Sequence, residues 1–264
     1  MTITFIGCGN MAQAMIGGMI QSGFASAEDI TATAKSVATR QKCAVTYGIT
    51  MTADNAEAAK GAEVLILAVK PNVLAEVMKE IAPVLTSNQL ILSVAAGRSL
   101  DFLATGLGAD KKLVRVMPNT PAMVGEGMTV WTAGENVSEE EKALTQKLLS
   151  AFGLAKEIPE SQMAACCAVS GCAPAYVYMF IEAMADAGVL EGMPRKMAYE
   201  LAAQTVLGSA KMVLETGNHP GSLKDAVTSP GGSTIAGVRS LEENGFRGAV
   251  MDALIAAAEK SKNM

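Results

Sequence analysis

Three stretches of this 264-residue chain combine residue types and spacings that could do chemistry. The first, Gly7-Cys8-Gly9-Asn10-Met11-Ala12, reads G-x-G-x-x-A. It follows an apolar run at 2–6 and opens a helically spaced segment at 10–21. That placement suits a dinucleotide pyrophosphate. Gly7 permits a tight turn, and Gly9, having no Cβ, lets the backbone approach the anion. Ala12 lets helix and strand pack closely, and the helix N-terminus offers free N–H groups. A glycine turn with no ligand is the alternative. The second stretch ends the next strand candidate, as Ala34-Lys35-Ser36 with Arg40 one turn on. A carboxylate there would bind a ribose 2′-OH, but none is present, and Asp29 stands at the strand's other end. Lys35, Ser36 and Arg40 could hold a 2′-phosphate through charge-assisted hydrogen bonds. NADPH is therefore the expected cofactor and NADH the alternative; solvated surface is the plain reading of Lys35 and Arg40. The third stretch is Ser229-Pro230-Gly231-Gly232-Ser233-Thr234, a turn running into a helix. Its free backbone N–H groups at a positive helix end make a carboxylate site without a basic side chain. Plain capping by Ser229 or Ser233 accounts for it equally well.

Other residues point away from alternative chemistries. A single histidine, His219, leaves no His-based zinc site or Ser-His-Asp triad, and no metal is expected. His219 precedes Pro220 and reads as structural. Glu182 and Asp186 lie at i, i+4 on an apolar helix and read as a polar stripe or a subunit contact. The five cysteines have no regular spacing, and no secretory signal precedes them, as expected of reduced thiols in the cytoplasm. Lys and Arg number 21 against 26 Asp and Glu, a formal net charge of −5 that speaks against a nucleic-acid partner.

The elements that must position these residues alternate through the first part. Strand candidates at 2–6, 29–34, 64–69, 90–94 and 113–116 are interleaved with helix candidates at 10–21, 53–60, 71–84 and 99–105. Apolar runs with intervening helices mean βαβ units and a parallel sheet. Ligands bind beyond the carboxyl ends of such strands, so the turns at 68–71, 93–97 and 117–121 should line the cleft. Pro71 also suits the first turn of the following helix. A hairpin-like stretch at 127–133, a helix at 138–152 and a strand at 155–158 complete a domain of residues 1–158. Residues 159–264 read as helices at about 161–190, 194–215, 220–227, 232–243 and 246–262. The uncharged run 161–181 is long enough for a bilayer, but Ser170-Gly171 and Pro174 interrupt it and its flanks are Glu160 and Glu182. A buried helix is expected, with no membrane. The helix at 175–190 is apolar almost all round, which calls for a homodimer through this half, with a large monomeric core as the alternative.

Taken together, the residues at 5–12, 68–71, 93–97, 115–121, 170–176 and 219–238 resemble pyrroline-5-carboxylate reductase, the last enzyme of proline synthesis. The resemblance implies an α/β Rossmann-type dinucleotide-binding domain followed by an all-α helical dimerisation domain, with dimers gathering into rings. It implies hydride transfer from NAD(P)H to the cyclic imine 1-pyrroline-5-carboxylate. Ile6, Gly7, Cys8, Gly9, Asn10 and Met11 are implied to hold the pyrophosphate, with Ala34, Lys35 and Ser36 at the 2′ position. Asn55 is implied to contact the adenosine ribose region, its alternative being a helix N-cap. Ala68, Val69, Lys70, Pro71, Ala95, Ala96 and Gly97 would border the nicotinamide. Ser229, Gly231, Gly232, Ser233 and Thr234 would grip the substrate carboxylate, with the Thr234 hydroxyl at the ring nitrogen as the catalytic group, and Glu160 would reach the substrate. The chain departs from the family at Cys172 and Ala173, where Ser and Gly are usual. A β-hydroxyacid dehydrogenase would need a lysine that 161–181 lacks. An imine reductase acting on another ring, and a silent NADPH-binding relative, remain the other readings.

Overall fold

The computed structural model of the chain describes residues 1–262. Its contacts form two compact units, Met1–Cys172 with the residues from Ala257 onward, and Ala173–Ala256.

The first unit is built on one eight-stranded sheet. In chain order its strands are β1 (Ile3–Ile6), β2 (Ile30–Thr33), β3 (Thr50–Thr52), β4 (Val64–Leu67), β5 (Leu90–Ser93), β6 (Lys112–Met117), β7 (Gly127–Ala133) and β8 (Gly153–Glu157). Across the sheet they run β3-β2-β1-β4-β5-β6-β7-β8. All neighbours are parallel except β6 and β7. Every residue of β1, β4 and β5 is buried, as continuous apolar runs require when both faces are covered. The helices α1 (Asn10–Gln21), α2 (Val37–Tyr47), α3 (Asn55–Lys60), α4 (Leu74–Ile81), α5 (Leu100–Leu107) and α6 (Glu139–Leu149) accompany it. α4 shows why they pack: Leu74, Val77, Met78 and Ile81 fall on one buried face. Side chains of Ser36, Asp54, Ser99 and Ser138 cap α2, α3, α5 and α6.

Several expected elements change. β2 starts at Ile30, because Ala27–Asp29 form a short 3-10 turn. α2 and β3 are additional elements: Cys43 is the one buried residue of α2, and β3 has three residues, so neither carries a clear apolar period. Pro71 lies in a turn ahead of α4, whose N-cap is Val73, and so is not in a first helical turn. The hairpin-like stretch 127–133 is the single strand β7, antiparallel to β6. The expected long helix from 161 is broken into a 3-10 turn (Glu160–Gln162), α7 (Met163–Cys166), a π-helical segment (Cys167–Cys172) and α8 (Ala173–Leu190).

The second unit is helical: α8, α9 (Arg195–Thr216), α10 (Pro220–Ala226), α11 (Ser233–Glu243) and the start of α12 (Phe246–Lys262). Small residues let α8 and α9 approach: Ala185, Ala198 and Ala202 are buried, and a Cβ on Gly188 would meet Met193 and Ala198 at 3.2 and 3.3 Å. The rings of Phe180 and Phe246 lie 6.1 Å apart. The single chain does not bury the apolar run, so the alternative of a large monomeric core is not what the helices build. The helical stretch Glu160–Leu190 is apolar and long enough to cross a membrane, yet only 11% of its most apolar window is buried. Tyr178, Met179, Leu201, Leu207, Met251 and Ile255 are all exposed on the single chain. A handful of helices has too little apolar mass to cover every face of α8.

Candidate active site

β1 lies between β2 and β4, so the connections leave it in opposite directions across the sheet. Crevices outside the carboxyl ends of strands at such a point are the usual ligand site of open α/β sheets. Here a cleft of about 440 Å³ occupies it. β1 delivers Gly7, Cys8 and Gly9, β2 delivers Ala34, Lys35 and Ser36, β4 delivers Ala68, Val69 and Lys70, and α3 adds Asn55. Gly7 is required sterically: its φ is +97°, and a Cβ would sit 2.8 Å from the Ala68 carbonyl oxygen. Its N–H donates to the Thr33 hydroxyl at 2.9 Å, which fixes the turn. Gly9 is the N-cap of α1 and provides no side-chain cap, so first-turn N–H groups of α1 are left without one. A Cβ at Gly9 would meet no atom within 4 Å, so the space beside it is open. An uncapped helix end facing open space, with Lys35 and Lys70 on the cleft walls, fits a phosphorylated dinucleotide.

The remaining expected contacts fall in distinct places. Ser36 accepts from the Thr39 N–H and caps α2. Arg40 turns inward: its Nη1 donates to the Ala34 and Lys35 carbonyls at 2.7 and 2.8 Å, bracing the loop that carries Lys35. Asn55 is the first residue of α3 and not its cap; Asp54 fills that role by accepting from Glu57 N–H at 2.9 Å. Ile6 is fully buried, and Met11 packs against the core. Asn10 lines a separate hollow with Gln13 and Lys42. Ala95 is buried, and Ala96 packs beside Met117 and Met163. Gly97 and Glu160 share a second cavity, of about 480 Å³, with Arg98, Phe102 and Arg115. There Glu160 Oε1 accepts from Arg115 and from the Leu100 N–H, both at 2.9 Å. Thr33, Thr39, Val73, Glu76, Val77 and Glu80 also line the first cleft, beyond the expected residues. The helical spacing of Val73, Glu76, Val77 and Glu80 was the signal for that wall.

In the second unit, the Gly232 N–H donates to the Ser229 carbonyl at 3.0 Å, and Gly231 has φ +66°. With Pro230 between them, this is the pattern of a type II turn. Gly232 is the N-cap of α11 and no side chain caps that helix, so capping by Ser229 or Ser233 does not explain the motif. Ser229, Gly231, Ser233 and Thr234 are exposed. His219 Nδ1 accepts from the Gly221 N–H at 3.0 Å and caps α10, a structural role. Asp186 pairs with Arg195.

The thiols differ in setting. Cys8 and Cys43 are buried with their sulfurs 3.3 Å apart. Burial first, and then the Cys43 thiol, push the Cys8 pKa from 9.0 up to about 12. Burial and the neighbouring Cys167 also push the Cys172 thiol up. All five cysteines are free.

Comparison with known proteins agrees with both halves. Residues 160–264 match the family described as pyrroline-5-carboxylate reductase dimerisation. Residues 2–97 match the family described as NADP oxidoreductase, coenzyme F420-dependent. The pyrroline-5-carboxylate reductase of Escherichia coli K12 is 48% identical over 262 residues, covering 99% of this chain and 97% of its own. Among solved structures, a pyrroline-5-carboxylate reductase from Coxiella burnetii superposes with a TM-score of 0.92 at 36% identity, covering 99% of this chain and 97% of that one. The Plasmodium falciparum pyrroline carboxylate reductase with NADP bound superposes with a TM-score of 0.89, at 36% identity and the same coverage. With such identity along its whole length, an N-terminal Rossmann-type domain and a C-terminal dimerisation domain, the chain belongs to the pyrroline-5-carboxylate reductase family.

Proposed function

We propose that this protein reduces 1-pyrroline-5-carboxylate to L-proline, the last step of proline biosynthesis, with NADPH as the hydride donor. The observation that carries this reading is the full-length identity to curated reductases of that name. NADPH, when bound, supplies a hydride from C4 of its nicotinamide to the imine carbon, while the imine nitrogen carries the proton. The chain's own residues then have to bind, orient and exclude water. The Gly7–Gly9 turn and the uncapped end of α1 hold the pyrophosphate, and Lys35 and Ser36 take the 2′-phosphate. Lys70 adds positive charge to the same cleft. The Ser229–Thr234 loop binds the substrate carboxylate through the free N–H groups of α11, and the Thr234 hydroxyl hydrogen-bonds the ring nitrogen. Support for that loop is its uncapped helix end. Glu160 contributes by holding Arg115 and the start of α5 beside Gly97.

Residues 1–158 form the cofactor domain in this reading, and residues 159–264 the substrate and dimerisation domain. The contacts group residues 159–172 with the sheet, which makes that segment the connection between the two roles. A homodimer covers the apolar faces of α8 and leaves no need for a membrane. Dimers assembling into rings and a cytoplasmic location belong to the same proposal; the free thiols support the latter. The test is NADPH oxidation followed by absorbance, with the racemic five-membered imine acid and then its six-membered analogue. Rapid oxidation with the five-membered ring is expected. NADPH binding without oxidation by either ring overturns the proposal.

A further inference from the structure

We infer that Glu80 is a positioning residue for the cofactor: it fixes the Asn55 amide so that Oδ1 is left to accept a hydroxyl of the adenosine ribose. The inference rests on the assignment of the switch-point cleft to the dinucleotide. Asn55 Nδ2 donates to Glu80 Oε2 at 2.9 Å, across from α3 to α4. An ionised carboxylate can only accept, so the amide nitrogen must face it and the amide oxygen must face away. Among the described residues no protein group donates to that oxygen. Asn55 is also free of the duty its position invites, because Asp54 caps α3. Glu80 has no cation within ion-pair distance among the described residues, so its carboxylate serves an amide. Both side chains line the same cleft. An asparagine held by its nitrogen is biased to present its oxygen as an acceptor, and a ribose hydroxyl is the donor in the adenosine half that such an acceptor selects.

The test is a double-mutant cycle read by NADPH fluorescence on the whole protein, with KM and kcat alongside. Glu80→Ala is expected to raise the NADPH Kd about fivefold, the effect of losing one oriented hydrogen bond. The loss should fall on KM for NADPH rather than on kcat. Asn55→Ala should weaken binding at least as much, and the double variant should bind no worse than Asn55→Ala alone. Glu80→Gln, which keeps an acceptor oxygen and the shape, should restore binding to within about twofold. Additive losses in the double variant, or wild-type binding by Glu80→Ala beside a weakened Asn55→Ala, overturn the positioning role alone. Unchanged binding by Asn55→Ala overturns the placement of Asn55 at the cofactor as well.

Discussion

The side-chain amide of Asn119 donates to the backbone carbonyl of Ser170 at 2.9 Å, four residues ahead of Pro174. In an unbroken α-helix that carbonyl would accept from the N–H of residue 174, which proline lacks. Asn119 therefore supplies the missing donor where the π-helical segment passes into α8, and its Oδ1 accepts from the Met128 N–H at 2.9 Å. One buried side chain ties β7 to the helical segment that holds the Cys172 departure. Asn119→Asp keeps the acceptor but loses the donor, and places a charge at a site only 8% exposed. It should destabilise the fold by about 2 kcal/mol, as expected when a part-buried carbonyl loses its donor and a buried side chain gains a charge. Thermal or urea unfolding measures it; a wild-type midpoint would contradict this account of the junction.

The same junction shows how far the residues alone could be read. Gly7, Gly9 and Ala12 declared the tight turn from β1 into α1 because a motif is a backbone requirement that few sequences meet. The apolar runs of β1, β4 and β5 declared the sheet. Asn119, by contrast, looked like one more strand-end residue facing the cleft, since its partner is 51 residues away. Arg40 looked like a ligand for phosphate because its charge is visible in sequence; that it spends Nη1 on two backbone carbonyls is a matter of tertiary geometry. α2 and β3 escaped because propensity is weak where few apolar residues mark a face. The apolar character of α8 was plain, and with it the need for cover from a second copy: one chain leaves the helix exposed.

Lys35 is exposed on the cleft wall, and the Arg40 guanidinium braces its carbonyl. Lys35→Glu replaces a cation with a repelling carboxylate where the 2′-phosphate is assigned. The ratio of KM for NADPH to KM for NADH should rise roughly tenfold, the size of a lost charge-assisted hydrogen bond. Steady-state kinetics with both cofactors gives the ratio, and an unchanged value removes Lys35 from 2′-phosphate recognition.

Cys8 makes a prediction at alkaline pH. Its folded pKa of about 12 stands above the ordinary 9.0, so the folded state holds the thiol proton more tightly than the unfolded state. That contribution is fully present below pH 9.0 and is lost as pH rises through the window up to about 12. Cys8→Ala removes the group, and its stability should decline less steeply with pH over that window than the wild type's. Urea midpoints across the window compare the two; parallel curves would mean that Cys8 does not titrate there.

Met179 lies two-thirds exposed, at 66%, between the exposed Tyr178 and Phe180 on α8. If a second copy covers this face, Met179→Asp buries a charge without a partner in the interface. Light scattering should then find a smaller assembly than the wild type forms, with imine reduction lost in proportion. A variant that keeps the wild-type mass would place the interface on another face of the helical half.

Thr234 separates binding from chemistry. It is the second residue of α11, exposed on the single chain, and among the described residues its hydroxyl has no hydrogen-bond partner. Its proposed partner is the ring nitrogen of the imine and not the cofactor. Thr234→Ala should therefore leave the NADPH Kd nearly unchanged. Turnover should fall about tenfold or more, because a hydrogen bond to the ring nitrogen matters most as charge shifts there during hydride transfer. Thr234→Ser keeps the hydroxyl and should recover most of the rate. Equal falls in kcat and kcat/KM would mark an interaction made in the transition state. A rise confined to KM for the imine acid would instead make Thr234 a substrate anchor, and a large loss of NADPH affinity would contradict the role assigned to it.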